Sequence, residues 1–194
     1  MNFERSLAYT SINVGRILHE LNSTPNPHLV TRTTGRDVRG IIEEKIRDLE
    51  TLGLSHIDFS EIEVMDFSCA DEVVAKLLAQ YVDPNRSQEI FFVLRDLSPS
   101  HIEPLSEVLD SQGILAVNQD SLGSLQLLGS VSPEESKAWD FIEMKRVVTK
   151  TEIDKVFSGE DEVDWKRLVH QRVVFEEIKS DRYYSLGSLI QDSP

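Results

Sequence analysis

The chain has 194 residues, of which 40% are hydrophobic, and its net charge at pH 7 is −14. This composition is typical of a globular protein and excludes a disordered one. No apolar run approaches the roughly 20 residues that cross a bilayer, and the first ten residues lack a signal-peptide pattern, so we expect a cytoplasmic protein without a membrane partner.

The N-terminal part predicts a helix, a break and a second helix. A short helix is expected over Ile12–Leu21. The segment Asn22–His28 contains two prolines and interrupts the pattern, so residues 1–28 are expected to be an N-terminal extension. Apolar residues then recur at helical spacing over 38–52, and a short strand is expected over His56–Phe59.

The clearest pattern follows the loop Ser60–Asp66. Apolar residues lie there on one face of a helix, namely Ala70, Val73, Val74, Leu77, Leu78 and Tyr81. The run Ile90–Leu94 is typical of a strand that helices cover on at least one face. A helix from Pro99 and a strand over Ile114–Val117 come next. This alternation predicts an α/β fold with parallel strands, in which the sheet is mixed if the N-terminal residues add an antiparallel strand.

The character of the sequence changes near Ser130. Ser132 and Pro133 predict the start of a helix, and two more helices are expected over Lys150–Phe157 and Asp164–Ile178. A strand over Arg182–Leu186 follows a tight turn. Three helices and a terminal hairpin form a winged-helix layout.

These patterns predict two domains. Residues 1–130 are expected to form the α/β domain, and residues 131–194 a small winged-helix-like α+β domain.

Residues 56–78, HIDFSEIEVMDFSCADEVVAKLL, resemble the core of the STAS superfamily, the fold of bacterial anti-anti-sigma factors. Those domains carry a strand that ends in an aspartate-containing turn, then D-S-S/T-G-L and a helix. The corresponding residues here are Asp66, Phe67, Ser68, Cys69 and Ala70. The match is closer to an uncharacterised STAS-like branch whose helix opens with S-F-A-D-E, with Cys69 in place of the phenylalanine.

The resemblance implies regulation by binding. In the family a partner kinase, often a histidine-kinase-like ATPase, binds the N-terminus of this helix and phosphorylates a serine there, which breaks or redirects the interaction. In the better-known branch the acceptor directly follows the aspartate. That position is Phe67 here, so Ser68 is the candidate phosphoacceptor. The resemblance therefore implies a non-enzymatic signalling protein similar to an anti-sigma factor antagonist, with a serine kinase or an anti-sigma factor as partner.

The predicted partner-binding surface is the turn before residue 70. Its members are Met65, Asp66, Phe67, Ser68, Asp71 and Glu72. Met65 and Phe67 are expected to be exposed among charges, as at many interfaces. The alternative role of Ser68 is structural, because Ser68 and Asp71 approximate a capping box. No Arg or Lys lies close in sequence to neutralise a phosphate on Ser68.

No catalytic or metal-binding motif is evident. The acidic residues Asp58, Glu61, Glu63 and Asp66 lack the order of a calcium loop, so a solvated rim is favoured over a metal site, and no cofactor is expected. The single cysteine, Cys69, excludes an intrachain disulfide, and packing is favoured for it over reactivity. An enzyme or small-ligand protein, with a pocket at the carboxyl ends of the strands, remains an alternative.

A DNA-binding transcription regulator with a STAS-like sensor domain is the other alternative. The third predicted C-terminal helix offers Lys166, Arg167, His170 and Arg172 to a major groove. Residues 131–194 nevertheless carry 10 Lys and Arg against 14 Asp and Glu, a net charge of −4. Because DNA binding needs several phosphate contacts, a nucleic-acid partner is disfavoured. A degenerate winged helix used for protein contact or homodimerisation is favoured instead.

Overall fold

The computed structural model describes residues 7–22, 26–49, 52–83, 86–157 and 163–191. In these ranges the strands are β1 (Ala8–Asn13), β2 (His28–Leu29), β3 (Leu52–Asp58), β4 (Val64–Met65), β5 (Glu89–Arg95), β6 (Ala116–Gln119), β7 (Leu125–Leu128), β8 (Val147–Thr149), β9 (Val174–Glu177) and β10 (Arg182–Ser185). The α-helices are α1 (Val14–Asn22), α2 (Arg32–Arg47), α3 (Phe67–Cys69), α4 (Lys76–Tyr81), α5 (Pro99–Gln112), α6 (Pro133–Lys145), α7 (Lys150–Val156), α8 (Trp165–His170) and α9 (Leu186–Gln191). None of them combines the length and apolar character that a membrane span requires.

The largest sheet has the strand order β1-β3-β5-β6-β7. Its first four strands are parallel, and β7 runs antiparallel to β6. The predicted α/β class with a mixed sheet is therefore confirmed. The antiparallel strand is β7, whereas the N-terminal strand β1 is parallel to its neighbour. The helix expected from Ile12 begins at Val14, because Ile12 still belongs to β1 and pairs with Ile57.

Both faces of this sheet are buried, and alternate residues of each strand serve different hydrophobic clusters. On β5, Ile90, Phe92 and Leu94 pack with the helices α1, α2, α4 and α5. Phe91 and Val93 point to the opposite face and pack with residues after 130. This two-residue alternation explains why the run at 90–94 is apolar throughout.

The C-terminal elements cover the second face of the large sheet. Their own sheet is antiparallel, with the order β8-β10-β9. Trp139 and Ile142 of α6 belong to the same cluster as Leu54 of β3. The helix start predicted at Ser132 and Pro133 is confirmed, and capping boxes at Ser132 and Thr149 open α6 and α7.

The third C-terminal helix is much shorter than its predicted span of 164–178. It ends at His170, and Arg172 has a positive φ of 60°, a conformation that stops a helix. Val174 and Phe175 then belong to strand β9, where their side chains are buried. Their β propensity and their place beside β10 outweigh the helical spacing that the sequence offers.

Candidate functional site

The carboxylate of Asp66 fixes the turn before α3. Its Oδ1 accepts hydrogen bonds from the backbone N–H of Cys69 and the hydroxyl of Ser68, both at 2.8 Å. Its Oδ2 accepts one from the N–H of Thr31 at 2.9 Å, so one carboxylate joins the starts of α2 and α3. Burial raises the pKa of Asp66, but the backbone hydrogen bonds from Thr31 and Cys69 outweigh it and hold the pKa below its usual value.

Ser68 does not cap the helix, contrary to its predicted structural role. The N-cap is Asp66, because the helix begins at Phe67 and Ser68 is already its second residue. The half-buried Ser68 hydroxyl donates to the capping carboxylate instead. The predicted capping box between Ser68 and Asp71 is therefore wrong, and the role of Ser68 as phosphoacceptor stays a prediction.

Two large apolar residues are exposed at this turn. Phe67 is 48% exposed and Val64 is 45% exposed. Met65 lies between them in sequence but is only 4% exposed, so its expected exposure is wrong. The cause is the pairing of β4 with β2, since consecutive residues of a strand point to opposite faces. We call Val64 and Phe67 together the Phe67 patch.

Asp71 and Glu72 face inward, although the sequence predicts them at the surface. Asp71 is 8% exposed and Glu72 only 1%. They lie in a π-helical segment, Ala70–Ala75, in which the N–H of Lys76 donates to the carbonyl of Asp71. All six residues of the segment are buried. The expected exposure of these two carboxylates is therefore wrong.

Cations surround the two buried carboxylates. Nη1 of Arg32 lies 2.6 Å from Oδ2 of Asp71 and 2.9 Å from Oε1 of Glu72. Nζ of Lys76 lies 3.3 Å from the same Asp71 oxygen and also contacts Oε1 of Glu72. Nη2 of Arg39 lies 3.3 Å from Oε2 of Glu72. The charges of Asp71 and Glu72 are thus compensated within the protein.

The ionised forms of both carboxylates are favoured. Burial raises the pKa of Asp71, but hydrogen bonds from Arg32 and Gln112 outweigh it and lower the pKa below its usual value. Burial acts on Glu72 in the same way, and hydrogen bonds from Lys76 and Arg32 again lower its pKa. Hydrogen bonds to Asp71 and then Glu72 raise the pKa of Arg32. The cluster is therefore a set of ion pairs at neutral pH.

The outer surface of this cluster is cationic. The side chain of Arg36 is 62% exposed, that of Arg32 47% and that of Lys76 40%. Arg36 is held most loosely, with Nη2 4.0 Å from Oε1 of Glu72. We call Arg32, Arg36 and Lys76 the cationic strip. Sequence reasoning missed it, although the spacing of Arg32, Arg36 and Arg39 on one flank of a helix is a signal that could have revealed it.

The helix α2 passes close to the turn at Gly35. A Cβ atom at this position would lie 3.0 Å from Cβ of Glu72 and 3.2 Å from Cα of Cys69. Cys69 is fully buried, and its Sγ donates to the carbonyl of Thr31 at 3.1 Å. Burial, followed by the charge of Asp66, raises the pKa of Cys69 to about 12. The expected packing role of Cys69 is confirmed.

The four candidate DNA-binding residues do not form one free basic surface. Nη1 of Arg167 lies 2.7 Å from each carboxylate oxygen of Glu135. Nη1 of Arg172 lies 2.7 Å from Oε1 of Glu89. Lys166 and His170 are exposed. The acidic residues at 160–162, which precede this helix in sequence, lie outside the described residues.

The alternative of an enzyme or small-ligand protein would need a pocket, and one cavity lies at the carboxyl end of β6. It has a volume of about 320 Å³ and is lined by residues that include Gln119, Glu143 and Arg146. Burial raises the pKa of Glu143, whose carboxylate accepts a hydrogen bond from the N–H of Leu186 at 3.0 Å. Among the described residues, no group of three or more His, Cys, Asp or Glu is placed to hold a metal ion.

Comparison of the chain with protein-family models, with curated proteins and with solved structures finds no match.

Proposed function

We propose that this chain is a bacterial regulatory protein that acts by binding another protein through the Phe67 patch. The observation that carries the proposal is the 48% exposure of Phe67 at the first residue of α3, where the hydrogen bonds of Asp66 fix the backbone. Buried aromatic anchors dominate the binding energy of many interfaces, and a rigid turn reduces the entropy lost on binding.

The proposal includes a STAS-like fold for the first part of the chain, with a function similar to that of an anti-sigma factor antagonist. The succession of β3, a loop that contains β4, and the helix from Phe67 to Tyr81 supports this assignment. The partner in this proposal is a kinase-like ATPase or an anti-sigma factor. A winged-helix-like C-terminal part, used for protein contact or homodimerisation, is supported by the order of α6, β8, α7, α8 and the hairpin β9–β10.

Serine phosphorylation is the proposed control of this site. A phosphate on Ser68 would add about −1.5 to −2 charges beside the carboxylate that now accepts the Ser68 hydrogen bond. Repulsion between the two anions would disturb the bonds of Asp66 to Thr31 and Cys69, and with them the position of Phe67.

The alternatives have less support. DNA binding would need Arg167 and Arg172 to leave the carboxylates of Glu135 and Glu89. Binding of a small ligand would use the cavity near Glu143, which lies at the carboxyl end of β6.

The test compares capture of a partner by the wild type with capture by Phe67→Ala and Leu122→Ala. Leu122 is 90% exposed in the turn between β6 and β7, so it is a matched loss of exposed apolar surface away from the patch. Proteins retained from native extract are identified, purified and titrated by calorimetry. We expect Phe67→Ala to weaken binding of the specific partner about tenfold or more, and Leu122→Ala to change it less than about twofold. Equal affinity of wild type and Phe67→Ala would reject the proposal.

A further inference from the structure

The helix α2 is basic, although the chain as a whole is acidic. The helix carries five Arg or Lys residues against three Asp or Glu, a net charge of +2, within a protein of net charge −14. At an ionic strength near 0.1 M, exposed charges are screened beyond about 10 Å. A group that contacts α2 therefore responds mainly to the local cations, and much less to the negative charge elsewhere.

The ion pairs with Asp71 and Glu72 leave the cationic strip accessible to a partner. The side chains of Asp71 and Glu72 are 12% and 1% exposed, whereas those of the cationic strip are 40 to 62% exposed. The buried pair holds Arg32 and Lys76 from beneath and leaves their outer sides to solvent. A guanidinium can bind a second carboxylate through its remaining N–H groups.

The cationic strip and the Phe67 patch belong to adjoining segments. Phe67 lies one helical turn before Asp71, to which Arg32 is bound. The opposite side of the patch along the chain is acidic, with Glu63 directly before Val64, and Glu63 lies 3.8 Å from His28. Along the chain, the Phe67 patch thus lies between an acidic residue and the carboxylates that hold the cationic strip.

We propose that the partner presents an acidic peptide segment to this surface. This inference rests on the proposed function and specifies its partner: an apolar side chain packs on the Phe67 patch, and carboxylates of the same segment pair with the cationic strip. Arg forms directional, paired hydrogen bonds to carboxylates, so the strip fixes the register of the segment as well as attracting it.

The test uses a short fluorescein-labelled peptide with glutamates around one leucine, at about 50 mM NaCl, where charge interactions are weakly screened. Matched peptides replace every glutamate by glutamine or by lysine, and oligo-dT serves as an anionic probe that is not a peptide. Binding is measured by fluorescence anisotropy. We expect the glutamate peptide to bind at least about tenfold more tightly than the glutamine peptide, and its affinity to fall as salt is added.

The decisive variant is Arg36→Glu, because the Arg36 side chain is 62% exposed and its ion pair is the longest in the cluster. We expect it to weaken binding of the glutamate peptide about tenfold and to strengthen binding of the lysine peptide. Lys166→Glu makes the same charge change at an exposed position on α8 and should alter the affinity less than about twofold. Circular dichroism confirms that each variant is folded.

Several outcomes would overturn the inference. These are absence of binding, equal binding of the glutamine peptide, equal affinity of Arg36→Glu, and tighter binding of oligo-dT, which would favour a nucleic-acid partner. Failure of this inference is distinct from failure of the proposed function. If Phe67→Ala loses the captured partner but Arg36→Glu keeps it, binding at the patch stands and the acidic segment is rejected. If Phe67→Ala keeps the partner, the proposed function itself fails.

Discussion

The carboxylate of Asp66 satisfies backbone donors at the starts of two helices at once. It caps α3 through Cys69 and holds Thr31, the N-cap of α2, which has a positive φ of 75°. An N-cap contributes about 0.5–2 kcal/mol, and a negative charge at a helix N-terminus adds to it. The same residue therefore stabilises the fold and sets the position of Phe67 relative to α2.

A second single residue makes stability depend on pH. His56 is 3% exposed in β3, and its Nδ1 lies 3.0 Å from the hydroxyl of Tyr9. Burial, followed by the charge of Arg95, lowers the pKa of His56 to about 4 from its usual 6.5. The folded state thus binds fewer protons than the unfolded state, so the contribution of His56 is complete above pH 6.5 and is lost as the pH falls toward 4.

We predict that the free energy of unfolding of the wild type falls by about 2 kcal/mol between pH 7 and pH 5 through this residue. His56→Gln cannot titrate and should lack this loss, while His19→Gln, at an exposed position, should keep it. Urea unfolding at the two pH values measures both. Because Glu143, whose raised pKa acts in the opposite sense, is unchanged in all three proteins, the comparison isolates His56. The same pH dependence in wild type and His56→Gln would contradict the prediction.

At the scale of an element, the π segment is what brings charge into the core. It buries Asp71 and Glu72 in succession and directs both toward Arg32 and Lys76. A buried carboxylate is tolerated only when cations and hydrogen bonds compensate it. The helix from Phe67 to Tyr81 therefore depends on α2 for more than apolar packing.

We predict that Glu72→Ala lowers the free energy of unfolding by about 3 kcal/mol, because several cations lose a shared partner within a packed helix pair. Glu44→Ala removes an exposed carboxylate of α2 and should cost less than about 0.5 kcal/mol. Denaturant unfolding of the two variants gives the comparison. A Glu72→Ala variant as stable as Glu44→Ala would show that the ion pairs contribute little.

The apolar stripe of the helix after the turn could be predicted from the sequence, whereas the ion pairs of Asp71 and Glu72 could not. Ala70, Val73 and Leu77 follow α-helical spacing, and all are buried as predicted. Asp71 and Glu72 lie outside this stripe, and they are buried because α2 and α5 pack on either side of the π segment. Their partner Arg32 lies some 40 positions earlier, and no periodicity within one segment reports such a pairing.

At the scale of the whole molecule, one sheet serves two hydrophobic clusters. On β3, Ile57 packs on the side of α2 and α5, while Leu54 packs with the C-terminal elements. The strands β3, β5 and β6 and the main helices between them could be predicted, because each has a local period. Strand β1 was not predicted, and β9 was expected to be part of a helix. The packing of residues after 130 on the second face could not, since it depends on contacts between distant segments. The division into domains at residue 130 stays a prediction.

We predict that the two parts unfold together. Ile57→Ala should cost about 2–5 kcal/mol and lower the unfolding midpoints seen by far-UV circular dichroism and by tryptophan fluorescence equally. The fluorescence reports on the C-terminal part, because Trp139 and Trp165 both lie there. Leu54→Ala, on the other face, serves as the matched comparison and should also shift both midpoints. An unchanged fluorescence midpoint in Ile57→Ala would show instead that the C-terminal part unfolds independently.

The close passage of α2 at Gly35 makes this buried glycine a position that affects the geometry of the proposed binding surface. A Cβ there would lie 3.0 Å from Glu72 and 3.2 Å from Cys69, so either these neighbours or the helix that carries Arg32 and Arg36 would have to shift. The separation between Phe67 and the guanidinium groups therefore depends on the buried Gly35. A substitution of Gly35 would therefore change the spacing of apolar and acidic groups that a ligand must match. It would leave the side chains of Phe67, Arg32 and Arg36 themselves unchanged.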